Sequence, residues 1–230
     1  MIPYKDDNPS RRFPAVNILL IVVNVVVFFY FRLQGNKLFE AAVIHFGMIP
    51  VEFWHAKNLP HSSGLSPYLS LFTSMFMHGG LLHVAGNMLY LWIFGDNVED
   101  FFGHFRYLFF YLACGVAAAF TQLLFNAGSH LPMVGASGAI AGVLGAYLVL
   151  YPRARVHALA FVFFFVTTVR IPASLILIFW FVLQVLSSLP ATAVQSGGVA
   201  YYAHIGGFVA GYLWVRSRRR KRRMKATWLD

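Results

Sequence analysis

The chain has 230 residues, of which 59% are hydrophobic and 11% charged, and its mean hydropathy is +0.65. Several apolar runs are long enough to cross a bilayer, which excludes an ordinary water-soluble domain and points to one compact polytopic membrane protein with no room for a second domain. The net charge of +10 does not imply nucleic acid, because much of it comes from Arg216, Arg218 to Arg220, Lys221 to Arg223 and Lys225. A basic cluster directly after an apolar span is a topology anchor against anionic lipid.

Residues 1–12 read as a polar cytoplasmic leader that ends in Arg11 and Arg12. The first apolar run, Phe13 to Phe31, is longer than the core of a signal peptide and lacks a small-residue cleavage site, so it is read as a retained span with its amino terminus inside. From Arg32 to about Phe72 the apolar residues are interrupted by Lys37, Glu40, Glu52 and Lys57. Such a stretch cannot span, and it is expected to form an interfacial, partly helical outer lobe over residues 32–72.

The second span is expected from Leu81 to Phe94, followed by an inside loop, Gly95 to Asp100, and a third span from Phe105 to Phe125. The fourth, Val134 to Tyr151, opens on Gly135-Ala136-Ser137-Gly138. Its glycines at 138, 142 and 145 give a helix one nearly bare stripe for close packing, and taken alone that pattern means helix association and nothing more. Val156 to Leu189 reads as one span with an approach segment or as two spans. Ala158 to Val169 is short for a bilayer helix and rich in strand formers, so it is taken as an interfacial approach before a fifth span from Ala173 to Ser188. The sixth runs from Val199 to Val215, and residues 216–230 form a basic cytoplasmic tail.

The expectation is therefore an all-α membrane protein, a six-transmembrane helical bundle over residues 13–215 with an interfacial lobe between spans one and two. Six spans put Arg11, Arg12, Arg106, Arg153, Arg155, Arg170 and the terminal cluster on one side, as the charge rule requires, whereas seven would put the basic tail outside. The short outer loops, Asn126 to Met133 and Pro190 to Gly198, carry no Lys or Arg.

With this topology His83, Asn87, Ser137 and His204 share one depth. At roughly 1.5 Å per residue they lie in the outer third of the membrane. One intramembrane histidine is more often a packing residue than a catalytic one, but four polar groups at one level argue for a small hydrated cavity opening outward. A serine needs a base within hydrogen-bond reach, for which His83 and His204 are the candidates. His204 is favoured, because Gly207 and Gly211 leave a bare face that the glycine stripe of span four can meet. His83 and Asn87 are four apart on one helix face and suit an oxyanion hole together with a backbone N–H near Ser137.

All eight acidic residues lie outside the spans or at their inner ends. No carboxylate can complete a triad at this depth, so a Ser–His dyad is expected. The same absence excludes an intramembrane aspartyl mechanism, and there is no H-E-x-x-H for a zinc peptidase. No cofactor or metal is expected, although a transporter or a cofactor protein using His83 and His204 as ligands remains a competing class.

These motifs in this order resemble the rhomboid family of intramembrane serine proteases, of the bacterial six-span type. The resemblance rests on Gly135-Ala136-Ser137-Gly138, on His83 with Asn87, and on Ala203-His204 with Gly207 and Gly211. It implies Ser137 as nucleophile, His204 as base, an oxyanion site of His83, Asn87 and the Ser137 amide, and structural roles for Gly135, Gly138, His78, Gly207 and Glu99. It also implies single-span transmembrane substrates entering from the lipid past span five or the lobe, no nucleic-acid partner, and a cell inner membrane with both termini cytoplasmic. A non-proteolytic relative that binds membrane helices for quality control is the alternative. Three positions depart from what relatives show: Leu69 and Ser70 stand where many have a Trp-Arg pair in the lobe, and Ala141 where some have an aromatic residue beneath the histidine. The base then needs another support, with Tyr201 or Tyr202 as the candidates.

Overall fold

The computed structural model describes residues 2–55, 65–162, 165–189 and 199–226. In chain order these form β1 (Ile2–Asp6), α1 (Ala15–Leu33), α2 (Asn36–Phe46), α3 (Pro50–His55), α4 (Pro67–Thr73), α5 (Leu81–Phe102) and α6 (His104–Phe125). They continue with α7 (Ser137–Leu150), β2 (Arg155–Val162), β3 (Phe165–Pro172), α8 (Ala173–Ser187) and α9 (Tyr201–Ala226). Residues 56–64 of the lobe and the outer loop Pro190 to Gly198 lie outside the described residues.

The central element is α7. Every residue from Gly138 to Tyr147 is buried, as expected of a helix that is apolar on all sides. Its closest neighbour is α9, and the two backbones touch through glycine. A methyl group on Gly211 would stand 1.9 Å from the Gly142 carbonyl oxygen, one on Gly207 2.0 Å from that of Gly138, and one on Gly145 2.2 Å from that of Phe208. No side chain fits in those gaps, so glycine is what allows the approach.

The outer faces are apolar. Leu19, Val22 and Val26 on α1, Phe105, Phe109 and Leu124 on α6, and Leu175, Ile178 and Phe179 on α8 are all exposed. Large apolar side chains on the outer faces suit lipid contact. By length and composition α1 and α6 are sufficient to cross a membrane, while α7 and α8 are apolar but shorter.

The start of α1 is tied to α5 and α6 by polar contacts. Buried Glu99 accepts hydrogen bonds from the Val16 and Asn17 amides at 3.0 and 2.7 Å, so a carboxylate on α5 caps the first turn of α1. Asn17 donates to the Leu91 carbonyl at 3.0 Å and accepts from the Tyr107 hydroxyl at 2.7 Å, joining α1 to α5 and α6. The segment Gly95 to Asp100, expected as a loop, is the last part of α5, which continues to Phe102. The basic cluster likewise continues α9 as helix to Ala226.

The all-α expectation needs correction. β2 and β3 pair antiparallel, and β1 pairs with β2 to complete a three-stranded sheet in the order β1-β2-β3. Val, Phe and Thr in alternation favour extended backbone, and the leader supplies the second partner that β2 needs. Asp7 follows β1 and hydrogen-bonds the buried His157 ring on β2, while Asp6 accepts from the Tyr147 hydroxyl.

The lobe is anchored without a Trp-Arg pair. Met48, Leu71, Ala119 and Leu123 form a small buried cluster. Met48 and Met133 exchange backbone hydrogen bonds of 3.0 and 2.8 Å, and the Thr73 hydroxyl donates to the Phe46 carbonyl at 2.8 Å.

Two predictions follow from this packing. Gly211→Ala should lower the unfolding temperature in detergent, at a cost of about 1–3 kcal/mol from overpacking. Gly86→Ala, inside α5 where an added methyl meets nothing within 4 Å, should leave it unchanged or raise it slightly. The hydrogen bond to His157 holds the Asp7 carboxyl below its ordinary value of 3.8. A depressed folded-state value stabilises above 3.8 and is lost as pH falls through the lowered one. Amide exchange in β1 should therefore be faster in Asp7→Asn than in wild type at neutral pH, with the difference closing below pH 3.8.

Candidate active site

The segment before α7 sets the position of Ser137. Gly135 has a φ of +122°, a conformation that side-chain-bearing residues rarely adopt, and its amide donates to the Ser74 carbonyl at 2.9 Å. The chain then turns into α7 with Ser137 as its first residue, at the positive end of the helix dipole. His204 sits in the first turn of α9, opposite. Its Nε2 lies 2.8 Å from Ser137 Oγ. The glycine contacts between α7 and α9 bring the two side chains together over a separation of 67 residues.

His83 and Asn87 face the same space from α5. A methyl on Gly135 would lie 2.7 Å from His83 Nε2 and 3.5 Å from Asn87 Nδ2, so two side-chain nitrogens converge on a place kept open by the missing Cβ. His83 Nδ1 accepts from the Gly79 amide at 3.4 Å. That contact leaves the proton on Nε2, as a donor aimed at the gap. Asn87 Nδ2 is buried and has no partner among the described residues. His78 is fully buried in the bend before α5, its ring 5.1 Å from that of His83 and packed edge to face.

A cavity of about 490 Å³ joins these groups. Ser137, His204, His83 and Asn87 line it together with Met75, Gly115, Ala118, Gly138 and Trp180. Among the described residues no Asp or Glu lines it. Among the described residues there is no group of three or more His, Cys, Asp or Glu side chains that could hold a metal.

A Rhomboid domain family model matches residues 66–221, more than half of the chain. The chain belongs to the rhomboid family. Rhomboid protease GluP of Bacillus subtilis is 33% identical over 135 residues, which are 59% of this chain and 24% of that protein. Rhomboid protein 1, mitochondrial, of Saccharomyces cerevisiae is 31% identical over 170 residues, 69% of this chain and 46% of that one. RHOMBOID-like protein 1 of Arabidopsis thaliana is 34% identical over 145 residues, 62% and 32% of the two chains. This rhomboid chain thus spans less than half of the length of each of these relatives.

Two groups at the rhomboid site escaped the sequence reading. Gln184 on α8 places Oε1 2.7 Å from His204 Nδ1, and the Trp180 ring lies 5.8 Å from the His204 ring at 36°. Gln184 is polar in the middle of an apolar run and sits one turn from the outer end of α8, the same signal that drew attention to the other four residues. Neither expected tyrosine supports the imidazole by stacking. Tyr201 meets it edge-on at 6.4 Å, while Tyr202 stacks on Phe125 and donates to the Ser188 carbonyl at 3.0 Å.

A buried donor without a partner costs stability. Asn87→Leu should therefore unfold in detergent at the same temperature as wild type or higher, a result that calorimetry or a thermal shift assay would read directly.

Proposed function

We propose that this rhomboid is an intramembrane serine endopeptidase that cleaves single-span membrane proteins in or near their transmembrane segment. The observation that carries the reading is the 2.8 Å contact between Ser137 Oγ and His204 Nε2 at the edge of a cavity. The word protease in the name of the Bacillus subtilis relative supports it.

In this reading Ser137 Oγ attacks the scissile carbonyl carbon while its proton passes to His204 Nε2. The oxyanion that forms is met by His83 Nε2–H, Asn87 Nδ2–H and the Ser137 amide at the positive end of α7. His204 then returns the proton to the leaving amine, the C–N bond breaks, and an acyl-serine remains. Water, deprotonated by the same imidazole, hydrolyses that ester and restores the serine. No cofactor takes part.

The catalytic domain is assigned to residues 13–215, with six spans formed by α1, α5, α6, α7, α8 and α9 and the lobe at 32–72. Both ends of the chain and the basic residues 216–230 are placed on the cytoplasmic side of the cell inner membrane, with the cavity opening to the other side. A substrate helix in lipid has its carbonyls engaged, so it must unwind locally before Ser137 reaches one. Helix-weakening residues near the cut are therefore expected in the substrate, which enters laterally from the lipid past α8 or the lobe.

The test is labelling of the detergent-solubilised protein with a fluorophosphonate probe, together with cleavage of a model single-span substrate. Wild type should label and cleave, while Ser137→Ala and His204→Ala should do neither. Asn87→Ala should lose about 100- to 1,000-fold in rate, as removal of one oxyanion donor does elsewhere. Gly135→Ala, whose methyl would meet His83 Nε2 at 2.7 Å, should fold but cleave poorly. A folded wild type that neither labels nor cleaves would leave the non-proteolytic role of binding membrane helices as the reading to pursue.

A further inference from the structure

We propose that Gln184 is a positioning residue that holds His204 in the one tautomer able to accept the Ser137 proton, so that the base is complete only while α8 is seated against α9. The catalytic meaning of this inference rests on the protease reading above. The geometry itself does not.

A neutral imidazole carries one proton on its two nitrogens. If Nε2 holds it, the ring can only donate toward Ser137 Oγ and cannot act as base. What sits at Nδ1 decides, and there the partner is the Gln184 amide at 2.7 Å. An amide offers either an oxygen or an NH2, and the two orientations have opposite consequences. Gln184 Nε2 lies 3.4 Å from the Trp180 carbonyl oxygen one turn earlier on α8. A carbonyl only accepts, so the NH2 belongs on that side and Oε1 faces the imidazole. Oε1 in turn only accepts. The proton therefore sits on Nδ1, and Nε2 is bare toward the Ser137 hydroxyl 2.8 Å away.

The choice of an amide suits the site. A carboxylate would orient the ring in the same way, but a buried charge at membrane depth is expensive. Among the described residues no Asp or Glu lines the cavity. Gln184 supplies an acceptor without a net charge.

Its position on α8 makes the base depend on another helix. Only Ala173 and Leu177 are buried along α8, and it is held to α9 mainly along one edge. Phe181 stacks on Phe208 at 4.5 Å, the Trp180 ring lies 6.1 Å from that of Phe208, and Tyr202 reaches the Ser188 carbonyl at 3.0 Å. Displacement of α8 would remove the acceptor from Nδ1 and release the tautomer. Substrate entering past α8 must leave this contact intact, or restore it, before chemistry begins.

The test is nitrogen NMR of the protein labelled with 15N-histidine, with the His204 ring signals assigned by their loss in His204→Asn. Wild type should show Nδ1 protonated and Nε2 bare. Gln184→Leu and Gln184→Met, which keep the bulk without the oxygen, should show a mixture of tautomers. In the same two variants kcat on a model single-span substrate should fall by about 10- to 100-fold with KM within about twofold, since orientation of a general base is lost and binding is not. Gln184→Glu retains an oxygen acceptor and should recover most of the rate. A wild-type spectrum with the proton on Nε2, or Gln184→Leu turning over like wild type, would overturn the proposal. If wild type shows the expected tautomer but cuts nothing, the positioning of His204 stands and it is the protease reading that fails.

Discussion

The contact on which the rest of the site depends is the backbone approach of α7 and α9. A carbonyl oxygen of one helix occupies the place where a Cβ of the other would be, at three successive levels, Gly138 with Gly207, Gly142 with Gly211, and Phe208 with Gly145. In lipid there is no hydrophobic gain from burying one apolar helix against another, so association relies on close van der Waals packing between small residues. The same contact fixes the chemistry. Ser137 and His204 stand near the outer ends of the two helices, and their 2.8 Å separation follows from how deeply the glycines let the helices interlock.

The two imidazoles at the site are set in opposite tautomers by neighbours of opposite character. His83 Nδ1 receives the Gly79 N–H, which leaves its other nitrogen a donor. His204 Nδ1 faces the Gln184 oxygen, which leaves its other nitrogen an acceptor. One residue type can therefore present a donor nitrogen on one helix and an acceptor nitrogen on another, with no carboxylate among the described residues that line the cavity. Asn87 Nδ2, buried and without a partner among the described residues, is a cost that makes sense where a transient oxygen is to be bound.

At the opposite end of the molecule polar groups do structural work. Glu99 caps α1, Asn17 links three helices, and β1 pairs with β2 between α7 and α8. These contacts gather Glu99, Asp6 and Asp7 away from the cavity, which the described neutral polar side chains line.

The composition, the order of apolar runs and the glycine spacing made the membrane class, the family resemblance and the convergence of Ser137, His204, His83 and Asn87 readable from residues alone. Each of these is a matter of local periodicity and depth along a helix, which a one-dimensional pattern carries directly. The helical bounds of α6 and α8 were legible within a residue or two for the same reason. Other features were decided by contacts between segments far apart in the chain. The strand formers of β2 and β3 pair with each other, and β1, some 150 residues earlier, provides β2 with its second partner. The lobe found its anchor on α6 and Met133 in place of the Trp-Arg pair. The support of His204 came from Gln184 and Trp180 on α8, not from the neighbouring tyrosines, because the way a side chain faces across a helix interface depends on crossing angle and register. The sequence by itself determined which polar and small residues stand at matching places on their helices; only the tertiary structure decided which neighbour orients each of them, since hydrogen-bond direction is set by packing between helices and not by spacing within one.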